Sequence, residues 1–165
     1  MRNKKGKKIM NKEETIGYLR GAKSAHIKWV QKAKLLINGV EIKEDAIPVD
    51  STECKFGQWF YSDAQMLNAL SNNPLECMQT IEKLHFDLHD RYLNIFNLYF
   101  SQNNKQGFFA KFLGVKKKRI GDREKVLAHE YYKELENISK ELLEEINRLE
   151  RRLLVVNDEK IEALV

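Results

Sequence analysis

Two histidines four residues apart, His85 and His89, sit in the stretch Leu84-His85-Phe86-Asp87-Leu88-His89. On a helix that spacing stacks them one turn apart on a single face, so both rings can converge on one point. Met78, Ile81, Leu88, Tyr92, Ile95 and Tyr99 recur around them at intervals of three, four or seven. This apolar stripe predicts a buried face running beside the histidines, with the rings turned inward. Two inward imidazoles one turn apart are half of a tetrahedral metal site. The competing reading is a pair of core histidines satisfied by hydrogen bonds, and the pair alone does not separate the two.

A third histidine has the same character. Leu19, Ala22, His26, Trp29, Ala33 and Leu36 step by three or four residues, an inward seam with His26 near its middle. A thiol follows in Cys54-Lys55-Phe56-Gly57-Gln58-Trp59. Cys54 and Gly57 share a face there. The glycine permits close backbone approach beside a candidate ligand, and Phe56 and Trp59 supply bulky apolar cover. A helix N-terminus lowers a thiol's pKa and so favours the thiolate that metals bind. A buried free cysteine packed as a small hydrophobe is the alternative.

Four helices are predicted, and the first three carry these groups. Asn11 with Glu14 three residues on is a start signal, and Asn38-Gly39 is a stop. Residues 40–50 form an irregular link with Pro48. Asp50-Ser51-Thr52-Glu53 offers caps for a shorter helix reaching about Leu70. Asn73, Pro74 and Glu76 open a long third helix that ends near Phe100 and includes Cys77 as a packed or half-exposed thiol. Asp122 is expected to cap a last long helix, whose seam is Ala128, Tyr132, Leu135, Leu142, Leu149, Leu153 and Val156. That helix outruns a compact bundle, so its end is expected to pair with a second subunit. His129 falls one place off the seam and reads as a rim residue.

Composition agrees with an all-α chain. In 165 residues there are only two prolines and eight glycines, amid many Leu, Lys and Glu. No run of 18 apolar residues exists to span a membrane, and the basic N-terminus lacks the apolar stretch of a secretory signal. Two cysteines without an export signal fit a reducing, cytoplasmic setting in which a metal thiolate outranks a disulfide. The net charge of +5 is uneven: residues 1–12 and 101–121 hold six basic residues each and no acid. The remainder has 17 basic against 24 acidic residues, so the helical body carries about −7. The basicity sits in a tail (1–10, read as solvated) and a connection, not along a groove that could read nucleic acid. Within the connection, Gly107–Val115 is rich in phenylalanine and precedes Lys116-Lys117-Lys118-Arg119. This insertion, 102–121, is expected to dock on the bundle, with contact to an anionic membrane surface by residues 107–119 left open.

In order, the motifs are His26-x2-Trp29, Cys54-x-Phe56-Gly57-x-Trp59 and Leu84-His85-x3-His89. With these the chain resembles the chemoreceptor zinc-binding (CZB) family, over about residues 15–100 by motif and the last helix by periodicity. The resemblance implies an antiparallel four-helix bundle over residues 11–160 with a zinc site between helices. It implies Zn2+ held by His26, Cys54, His85 and His89, with Trp29, Phe56, Gly57 and Trp59 packed around the ion. Three neutral imidazoles and a thiolate suit closed tetrahedral zinc, which leaves no position for an activated water, so no enzyme activity is expected.

The family also implies a cytoplasmic sensor of zinc, or of an oxidant such as hypochlorous acid through Cys54. Homodimers and chemoreceptor or diguanylate cyclase partners are typical of it. The 165 residues hold no cyclase motif, so output is expected to pass through a partner or a dimer. A structural adaptor in which zinc only staples the bundle is the alternative. A hemerythrin-like di-iron site is a third reading, which needs bridging carboxylates and has no use for the cysteine.

Overall fold

The computed structural model describes residues 11–42, 50–70, 75–100 and 120–164, and the basic Phe-rich insertion and the N-terminal tail lie outside them. Among the described residues the regular elements are helical: α1 (Lys12–Ile37), α2 (Lys55–Phe60), a 3-10 helix (Asp63–Ala69), α3 (Leu75–Tyr99), α4 (Asp122–Leu154) and α5 (Asp158–Glu162).

α1 begins where Asn11 Oδ1 accepts the N–H groups of Glu13 at 2.8 Å and Glu14 at 3.2 Å. Those are two of the donors a helix start leaves unpaired. Its end needs a left-handed residue, and Gly39 takes φ +85° there while its N–H bonds Leu36 O. The expected seam is inward: Leu19, Ala22, His26, Trp29, Ala33 and Leu36 are all buried. The α3 stripe is buried as well, from Met78 to Tyr99.

Cross-helix ion pairs give the directions. Glu76 meets Arg148 and Arg91 meets Glu134, so α3 and α4 run antiparallel. Lys12 reaches Val156 O, while Arg20 and Lys23 reach Glu150, so α1 and α4 are antiparallel too. α1 and α3 are therefore parallel, with α2 and the 3-10 helix as the short descending element between them. The architecture is an all-α antiparallel bundle. Leu88, Ile95, Leu135, Leu142 and Leu149 are fully buried in its core. Each such side chain contributes about 1.5–3 kcal/mol.

Two expectations shift. The second helix does not run unbroken to Leu70: it stops at Phe60. Ser62 Oγ bonds Gln58 O at 2.5 Å and Gln65 Nε2 bonds Phe60 O at 2.8 Å, taking carbonyls that the next helical N–H groups would have used. A 3-10 segment follows. Gly121, rather than Asp122, is the N-cap of α4, and the Glu124 carboxylate accepts its N–H at 2.7 Å. At the far end, Leu149 and Leu153 are buried within the chain, and α5 packs Ile161 into the core beside α1.

Candidate metal centre

His85 and His89 lie where α3 faces α1 and α2. Their rings are 4.7 Å apart, nearly perpendicular, and both are buried. His26, from α1, meets the His85 ring at 5.2 Å. Its Nδ1 is 2.8 Å from Ala22 O, and a carbonyl only accepts. Nδ1 therefore carries the proton, and Nε2 of the neutral ring keeps its lone pair. Cys54 is itself the N-cap of α2: its Sγ accepts the Gly57 N–H at 3.2 Å and lies 3.3 Å from His85 Nε2.

One donor atom from each of His26, Cys54, His85 and His89 lies within 4.8 Å of all the others. The edges of a zinc tetrahedron with ordinary bond lengths are about 3.3–3.6 Å. The Cys54–His85 edge already has that length, and the widest pair must close by roughly 1 Å. The donor set fits Zn2+. It contains no carboxylate, which disfavours the di-iron reading.

Electrostatics prepare the nitrogens more than the sulfur. Burial holds His26 down to about 4, only partly offset by the Ala22 carbonyl. Burial, with His26 and His89 alongside, pushes His85 down to about 2. Both rings are thus neutral and ready to donate to a metal. The thiol differs from expectation. Burial raises Cys54, against the opposing pull of the Gly57 and Phe56 N–H groups. The helix start does not win here, because a single turn of amides is weaker than loss of water. In the thiol form S–H can donate to Ser51 O, 3.4 Å away, so metal binding must displace that proton.

The packing residues fall into place unevenly. Trp29 lies against His89 with ring centroids 4.4 Å apart. Phe56 stands edge-on to His26 at 5.5 Å and to His85 at 5.0 Å. These contacts orient His85, whose buried Nδ1 has no hydrogen-bond partner among the described residues. Trp59 reaches the site only through Phe56, and its other side stacks on Tyr18 at 5.3 Å. Tyr18 escaped sequence reasoning, since it sits one place off the buried seam. Gly57 is required by its surroundings: a Cβ there would collide with the Ser51 carbonyl oxygen. The backbone of the Ser51–Thr52 turn lies directly on the first turn of α2, and Asp50 pins that turn through Thr52 N and Oγ1, each at 2.7 Å. Cys77 is buried and His129 exposed, both away from the cluster.

The fold and donor set define a zinc-binding helical bundle. Residues 26–95 match the family profile of the chemoreceptor zinc-binding domain, a span that opens on His26 and includes all four donors. Over these residues the chain is similar to that family's domain. Compared with curated proteins and with solved structures, it has no significant match. No helix among the described residues is long and apolar enough to cross a membrane.

Proposed function

We propose that the chain is a cytoplasmic zinc-dependent sensory module in which His26, Cys54, His85 and His89 hold the ion and Cys54 is the donor that responds. The convergence of three neutral imidazoles and one thiol carries this reading. Purified protein is expected to contain about one zinc per chain, and Cys54→Ala or His85→Ala to contain almost none. Full zinc in both variants would refute it.

The redox form of the reading follows from Cys54. Oxidation of its sulfur weakens it as a donor, and zinc leaves. Hypochlorite is expected to modify Cys54 and release zinc together. Zinc retained on an unmodified Cys54 would remove oxidant sensing and leave zinc itself as the signal. Output would pass to a separate chemoreceptor or cyclic-di-GMP component, consistent with the family whose domain residues 26–95 resemble.

The staple reading draws on the burial of the three imidazoles in the core. Chelation separates the two. A change confined to residues 50–60 supports the sensor, and loss of the whole helical signal supports the staple.

A further inference from the structure

A groove of about 940 Å³ opens beside the metal centre, between α1 and the start of α2. That volume is in the range of small-molecule sites. Its floor along α1 includes Gly17, Gly21 and Ala25, all exposed and spaced by four. Each mid-helix glycine costs about 1 kcal/mol relative to alanine. Neither has a reason among the described residues: a Cβ at Gly17 or Gly21 would meet none of their atoms within 4 Å, and neither has positive φ. Their missing side chains keep the groove open.

Two further features describe what fits. Trp29 lines the groove at 8% exposure, and its buried indole N–H has no acceptor among the described residues. That nitrogen is closed off from the groove, so Trp29 offers a ligand apolar ring rather than a donor. Among the described lining residues, Lys28 and Lys55 face Glu14, and Lys32, which has another interaction of its own, stands beside them. Tyr18 and Phe56 supply aromatic wall, Tyr18 at 47% exposure despite its stack on Trp59.

We propose that this groove binds a small organic anion, a planar apolar body with one acid group, lying over Gly17 and Gly21 with its acid group met by Lys28 and Lys55. His26, Cys54 and His89 line the same groove, so a bound anion would cover the thiol and give the centre a second input. That consequence rests on the proposed zinc site; the binding itself does not.

The test uses the zinc-loaded full chain and two fluorescent probes of similar body, anionic 1-anilinonaphthalene-8-sulfonate and neutral N-phenyl-1-naphthylamine. One sulfonate probe should bind per chain, at least tenfold tighter than the neutral one. Lys28→Glu and Lys55→Glu should each weaken the sulfonate several-fold and leave the neutral probe unchanged. Gly21→Leu should abolish both while raising the melting temperature, because its side chain enters open space, so the loss is not unfolding. Unsaturable binding, equal affinity for the two probes, or full binding by Gly21→Leu would overturn the proposal. So would a wild-type chain that takes no probe and sediments as a dimer split by Gly21→Leu, which would give the groove to a second copy. Each result is read with zinc bound, so failure here leaves the zinc assignment standing.

Discussion

The four donors come from two unlike kinds of structure. His26, His85 and His89 stand on α1 and α3, helices of 26 and 25 residues whose inward faces are continuous with the core and braced on α4. Cys54 stands at the first turn of a six-residue helix, on a short arm that changes to a 3-10 helix within ten residues. The arm is anchored by Phe56, Trp59 and Phe60, all buried, but its α-helix is only six residues long. Three nitrogens are thus placed by the bundle whether or not a metal is bound, while the sulfur is placed by the arm. A sensor built this way changes locally where its most oxidisable donor sits.

The sharpest way to break that contrast is to remove a donor from each side. His85→Ala should lose zinc and also destabilise the metal-free bundle by about 2–5 kcal/mol, since it empties a fully buried position. Cys54→Ala should lose zinc equally and cost the metal-free bundle only about 1 kcal/mol, the typical cost of a lost N-cap at a half-buried position. Urea melts of the two variants without metal check this. Equal costs would mean that the arm is as integral as the helices.

Gly57→Ala presses on the arm alone. The collision with Ser51 should displace Cys54, weaken zinc binding at least tenfold and cost about 1–3 kcal/mol. Competition with a chelator of known strength measures the first, and denaturant melts the second.

Acid acts on the nitrogens. The folded-state values of His26 and His85, about 4 and about 2, lie below the 6.5 of an unfolded chain. Between those values the unfolded chain binds more protons, so stability falls as pH drops below about 6.5, by on the order of 1 kcal/mol per pH unit for each ring. Thermal melts of the metal-free protein from pH 7.5 to 4 should show that decline and a plateau above 6.5.

The smallest effect is expected at the contact of α1 with α4. Glu150 is buried between Arg20 and Lys23, at 2.7 and 2.6 Å, and those cations outweigh burial to hold its carboxyl below the usual range. Glu150→Gln should cost about 1–2 kcal/mol and leave zinc affinity unchanged. A parallel loss of zinc would tie the α1–α4 contact to the centre.

The same contrast governs how much could be read from sequence. Long helices repeat their spacing many times, so the seams through His26 and through His85 and His89 were legible residue by residue. The arm repeats nothing. Its break at Tyr61–Ser62 depends on which carbonyls Ser62 and Gln65 capture, a competition among near-equal hydrogen bonds. The raised thiol was hidden for a related reason: Cys54 is buried partly by His85, which comes from α3 to within 3.3 Å of its sulfur. Gly57 was legible as a close approach, though not that the approaching atom is the Ser51 carbonyl.

X-ray absorption at the zinc edge of the purified full chain bears most directly on whether the four side chains share one ion. The expected spectrum has three nitrogen scatterers at about 2.0 Å and one sulfur at about 2.3 Å. A zinc shell of oxygen and nitrogen without sulfur, or no bound zinc, would contradict the assignment of Cys54 and with it the sensor.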